Sequence, residues 1–317
     1  GQDAYNIGIG YNAGYAMTTG IENTLIGSLA GDALTTGVRN TALGYGALGS
    51  SVDGDHNTAI GYNALEDYED GDGNGHNTAV GSQSQLNAST GEYNTSLGSL
   101  SMGLGVTTGD MNVVIGYQAG IVLTGGLQNT LIGALAGDAL TTGQENVGVG
   151  YRALTSEDTH GKNVAIGNNT LLSLNAGADG YNVAVGYDSG VSMTTGVNNT
   201  VIGGLAGDAL TTGANNVALG QGALTGTTTA ANNIAIGVSA LGANVLGASS
   251  VAIGLQSLAQ QLPSSATVMH NVCVGEKTGF AVTTGVKNTI IGSLAGDALT
   301  TGDKNTIIGY AASASAV

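Results

Sequence analysis

One short pattern, Asn followed by Thr, Val or Ile, any residue, Ile, Val or Leu, and then Gly, begins at residues 6, 23, 40, 57, 77, 94, 112, 129, 146, 163, 182, 199, 216, 233, 250, 271, 288 and 305, with Ser250 standing once for the Asn. Thirteen of the seventeen intervals are 17 residues, and the others are 18, 19, 20 and 21. A unit this short cannot bury an apolar face by itself, so it must bury it against its neighbours. The expectation is one repeat array over 1–317 rather than two ordinary domains.

Counting the Asn as position 1, position 5 is Gly in all eighteen units, position 4 is always Ile, Val or Leu, and the β-branched residues at position 2 suit a strand. Position 8 is always Ala, Ser or Thr. A second short strand is expected at positions 10 to 13. No segment carries a 3.6-residue apolar period. The economical fold is all-β: a parallel β-solenoid (β-roll) of about 18 coils, one per unit, with positions 4, 8 and 12 filling a narrow interior and the Asn residues stacked as an amide ladder. At about 4.8 Å per coil, such a stack would be a rod on the order of 85 Å long. The insertions fall in the loop half of the coil, as at 66–76 and 255–270.

Composition agrees with a thin core. The chain has 56 Gly, one Phe and no Trp. Its 22 acidic and six basic residues leave a formal charge of −16, which argues against nucleic acid or an anionic membrane as partner. No stretch approaches the roughly 18 apolar residues of a membrane span, so membrane insertion is not expected. Cys273 is the single cysteine, so no intrachain disulfide can form.

With position 4 inward, alternation puts position 3 outward. That row is never charged, and it includes Leu25, Val114, Leu131, Val201, Cys273, Ile290 and Ile307. An apolar row along a rod reads as a stripe buried against another chain, and so as an oligomer.

The units "SVAIG" (250–254), "NVAIG" (163–167), "NIAIG" (233–237) and "NVAVG" (182–186) resemble the head repeats of trimeric autotransporter adhesins, and the style of Asn57 to Ala64 is similar to repeats of phage tail fibres and other surface fibres. The resemblance covers about 6–310. It implies a left-handed parallel β-roll, a homotrimer and an extracellular or virion location. The expected role is a non-catalytic attachment module, the head or shaft of an adhesin or tail fibre that meets a host-surface glycan or protein. The alternative is a structural filament built by head-to-tail stacking, because no capping element precedes the first coil or follows the last.

Chemical signals are sparse. His56, His76, His160 and His270 sit at turn positions just before a new unit, and no catalytic constellation or cofactor motif is present, so no enzyme is expected. Cys273 reads as a small packed hydrophobe. In "DGDGNG", Asp70, Asp72 and Asn74 alternate before Gly75 like the first half of a calcium loop, and Asp53 and Asp55 lie one coil earlier. Calcium is the candidate ligand, and a solvated acidic loop is the other reading. Tyr11, Tyr45, Tyr62, Tyr117, Tyr151, Tyr187 and Tyr310 occupy position 6 and are candidate surface contacts, with packing over a neighbouring chain as the alternative. Thr pairs in "TTG" raise ice binding as a minor alternative. The stretch "NTLIGSLAGDALTTG" returns nearly unchanged from Asn129, Asn199 and Asn288, as a duplicated building course.

Overall fold

The computed structural model describes residues 4–69 and 75–313. The chain forms two compact units, one up to Gly161 and one from Lys162. In the first, nine three-residue strands, β1 (Ile7–Ile9), β2 (Thr24–Ile26), β3 (Thr41–Leu43), β4 (Thr58–Ile60), β5 (Thr78–Val80), β6 (Thr95–Leu97), β7 (Val113–Ile115), β8 (Thr130–Ile132) and β9 (Val147–Val149), pair in parallel, each with the next. The second unit repeats this with β10 (Val164–Ile166), β11 (Val183–Val185), β12 (Thr200–Ile202), β13 (Val217–Leu219), β14 (Ile234–Ile236), β16 (Val251–Ile253), β18 (Val272–Val274), β19 (Thr289–Ile291) and β20 (Thr306–Ile308). Register is position for position: Thr24 faces Thr41, Leu25 faces Ala42, and Ile26 faces Leu43. The fold is therefore an all-β parallel β-solenoid with one coil per repeat.

Two rows of backbone-level contacts explain the most regular positions. At position 1 the Asn side chains stack as a ladder. The Asn40 amide N–H donates to Asn23 Oδ1 at 2.9 Å, and Asn40 Nδ2 donates to the Gly54 carbonyl at 2.6 Å, closing its own coil. The same pair of bonds recurs at Asn112, Asn129, Asn199 and Asn216. The side chains of these five Asn are buried, and each is hydrogen-bonded within the ladder. Where Ser250 breaks the ladder, Gln261 takes over: its Oε1 accepts from Ser250 Oγ at 3.1 Å and from Asn271 Nδ2 at 2.9 Å.

At position 5, φ is strongly positive, and a Cβ on Gly133 would lie 2.3 Å from the Gly150 carbonyl oxygen of the next coil. No side chain fits between coils there, which accounts for Gly at every position 5.

The strand faces are reversed from the sequence expectation. In every coil after the first, position 3 is buried and positions 2 and 4 face outward, as in the buried Leu25 between half-exposed Thr24 and Ile26. Leu25, Val114, Leu131, Val201, Cys273, Ile290 and Ile307 are thus core residues of their own chain, not an interchain stripe. The interior is lined by positions 3, 8, 9 and 12, for example Ala42, Ala47, Leu48 and Leu65 together with Leu34.

Positions 3 and 9 compete for one volume. In the four "LAGDALTTG" coils position 3 is large (Leu25, Leu131, Val201, Ile290) and position 9 is Gly. A Cβ on Gly137 would stand 2.9 Å from both Leu131 Cδ atoms, and one on Gly31 3.0 Å from Leu25 Cδ2. Where position 9 is Leu, as at Leu48, Leu65, Leu154, Leu171, Leu224 and Leu241, position 3 is Ala or Gly.

The expected second strand at positions 10 to 13 does not form in most coils. Positions 7 and 9 both take left-handed backbone, as at Asn63 (φ 49) and Leu65 (φ 52), so the chain reverses twice within three residues and closes in turns. Among the described residues, paired extended backbone outside the main strands occurs at β15 (Gly247–Ala248) with β17 (Thr267–Val268), and at the isolated Ala88–Thr107 bridge.

Candidate functional surfaces

The reversed strand face leaves an aliphatic row on the outside. Position 4 is Ile, Val or Leu in every coil, and much of it is open: Leu43 is 44% exposed, Leu97 50%, Ile166 40%, Leu219 43% and Ile291 40%. Position 2, the other outward row on this face, is Thr, Val or Ile throughout, so neither row contains a charge. A charge-free aliphatic row repeated on every coil is unusual on a surface that water alone contacts.

Tyr11, Tyr45, Tyr62, Tyr117, Tyr151, Tyr187 and Tyr310 are all exposed. Two of them meet: the Tyr45 and Tyr62 rings stack at 5.6 Å between centroids. Below Tyr45 lies a notch of about 420 Å³ lined by Leu29, Asp32, Gly46, Gly49 and Glu66. It exists because the third coil carries Gly at both positions 7 and 10, while the flanking coils carry side chains there. Asn63 Oδ1, beside Gly46, is buried without a hydrogen-bond partner among the described residues. Burial, then repulsion from Asp67, raises the Glu66 carboxyl above the ordinary carboxylate range. With Asp32 and Glu66 in its wall, the notch suits a ligand that brings hydrogen-bond donors.

A second surface row runs along the last residue of each coil, where backbone is again left-handed. Glu22 pairs with Arg39 at 2.8 Å, Arg39 Nη1 lies 3.2 Å from His56 Nε2, and His56 stacks on His76 at 4.6 Å, which stacks on Tyr93 at 5.1 Å. The turn register of these histidines was legible in the sequence; their stacking into one column was not.

Asp70, Asp72 and Asn74 lie outside the described residues. Asp55 Oδ1 accepts the Val38 backbone N–H at 2.6 Å, and one oxygen of Asp53 is buried without a hydrogen-bond partner among the described residues. Cys273 is buried in the position 3 row, and desolvation pushes its thiol up to about 12, so it is held as a thiol at neutral pH.

The Thr pairs are not two free hydroxyl rows. In several pairs the first Thr donates to the backbone of the next coil: Thr18 Oγ1 to Thr35 O at 3.2 Å, Thr141 to Asp158 O at 2.9 Å, and Thr211 to Thr228 O at 3.0 Å. Those hydroxyls are taken up in coil stacking.

Sequence reasoning missed one group. Among the described residues, donor atoms of Glu157, Asp158 and His160 lie within 4.8 Å of one another. The available signal was the replacement of Leu-Thr-Thr-Gly by Glu-Asp-Thr-His in the coil that begins at Asn146.

No protein-family model matches this chain, and no curated protein matches it either. Among the described residues, no helix is long and apolar enough to cross a membrane.

Proposed function

We propose that the chain is a non-catalytic module of an extracellular or virion fibre, in which copies pack side by side along the position 4 row and present their remaining faces for attachment. The observation that carries this reading is the outward-facing aliphatic residue on every coil, partly or largely exposed throughout. Burying a half-exposed Ile or Leu contributes about 1 kcal/mol, and repetition along each unit makes a side-by-side contact strong without any single anchor. The resemblance of the "SVAIG" units to adhesin heads favours three copies.

For attachment, the acceptor-lined notch beside Tyr45 and Tyr62 supports a hydroxyl-rich glycan as the first contact. The test is a glycan and host-cell binding screen with the whole chain and with Gly46→Leu, which fills the notch using a residue that position 7 carries at Leu29. Binding lost in that variant supports the reading. Binding equal in both removes the notch, and no binding to any surface favours a purely structural filament.

A further inference from the structure

We propose that the turn 157–160 is a metal site that takes a divalent transition ion of the zinc type. Other coils close with Leu-Thr-Thr-Gly, as at 34–37 and 140–143, whereas this coil has Glu157, Asp158, Thr159 and His160 in those four places. The backbone path is kept: Asn146 Nδ2 donates to the His160 carbonyl at 3.1 Å, as Asn129 Nδ2 does to Gly143 at 2.8 Å. The coil thus hangs a new set of donor side chains on an unchanged turn.

Those side chains converge. Glu157 stands in the interior row that Leu34 and Leu140 occupy in their coils, and it is fully buried. Its Oε1 accepts the His160 backbone N–H at 3.3 Å and lies 3.5 Å from His160 Nδ1. Thr159 holds the other two: its N–H and Oγ1 donate to Asp158 Oδ1 at 2.6 and 3.1 Å, and Oγ1 lies 3.1 Å from His160 Nδ1. One donor atom from each of Glu157, Asp158 and His160 therefore falls within 4.8 Å. Modest rotation of the two half-exposed side chains would bring these atoms to the roughly 3.3 Å spacing that ligands about 2.1 Å from one ion adopt.

A carboxylate in an otherwise uncharged interior row is costly to desolvate, and a dication beside it offsets that cost. The mix of one imidazole nitrogen and two carboxylates selects a borderline ion such as Zn²⁺. Calcium, which takes six to eight oxygens, is disfavoured.

The test is calorimetry and thermal unfolding of the full chain with zinc chloride and, in a parallel arm, calcium chloride. The expected result is one tight Zn²⁺ per chain with a rise in Tm. Affinity should fall about tenfold or more in Glu157→Leu and in His160→Gly, each of which installs the residue other coils carry at that place. Wild-type chain that takes up no Zn²⁺, or His160→Gly binding it as tightly as wild type, overturns the site. Calcium bound at this turn as tightly as zinc overturns the choice of ion.

Discussion

The competition between positions 3 and 9 predicts a large, signed coupling that a list of contacts would not. In the coil that begins at Asn129, Leu131 fills the interior from position 3, and a Cβ on Gly137 would stand 2.9 Å from both of its Cδ atoms. Leu131→Ala alone leaves a Leu-sized hole and should cost about 3 kcal/mol. Gly137→Leu alone overpacks the same volume and should cost about 2–3 kcal/mol, with about 1 kcal/mol more for a side chain on left-handed backbone. The double variant moves the leucine from one wall of the coil to the other, which is the arrangement already present at Gly148 and Leu154 (φ 56). It should therefore cost only about 1–2 kcal/mol, against about 6 if the effects were additive. Urea unfolding followed by far-UV circular dichroism reads all three variants, fitted to a nearest-neighbour repeat scheme rather than a two-state one. A double variant as unstable as the sum of its parts would refute the shared-volume account.

Other consequences follow from the same packing. Gly133→Ala puts a methyl 2.3 Å from the Gly150 carbonyl, so it should cost more than about 3 kcal/mol and show as early loss of β signal on heating. Asn129→Ala removes both the acceptor for the Asn146 N–H and the donor to the Gly143 carbonyl, and should cost about 2–4 kcal/mol in the same denaturation assay. Cys273, with its thiol pushed up to about 12 by burial, should resist a thiol reagent at pH 8 in the native protein and react within seconds in denaturant; fast native labelling would show an open core. Ile132→Asp, on the outward row beside Leu131, should leave the circular dichroism spectrum unchanged while reducing the mass in solution.

Much of this architecture is legible in the sequence because a solenoid writes its geometry once per coil. The 17-residue spacing, the Asn ladder and the invariant Gly each correspond to one intercoil contact. The direction of the strand face is harder to read, because the usual sign is weak here. The coil is so narrow that Ala42, Ala59 or Gly148 suffices inside, while the bulkier Leu43, Ile60 and Val149 stand outside. Size and hydrophobicity point the wrong way when the interior holds about one leucine per coil. The decisive signal was covariation within a unit: Leu131 with Gly137, but Ala165 with Leu171. Two positions trade volume only if they face the same space.

The notch and the Glu157 turn were hidden for a different reason. Each departs from the repeat by two to four residues, and its meaning depends on what the adjacent coils place beside it. Gly46 and Gly49 make a cleft only because Asp32 and Glu66 flank them.

The claim that the outward aliphatic row is covered by further copies of the chain is tested most directly by the mass of the purified protein in solution. Light scattering over a range of concentrations should give three times the 30.9 kDa of one chain, falling toward one chain in Ile132→Asp. A wild-type mass of 30.9 kDa at every concentration would contradict it.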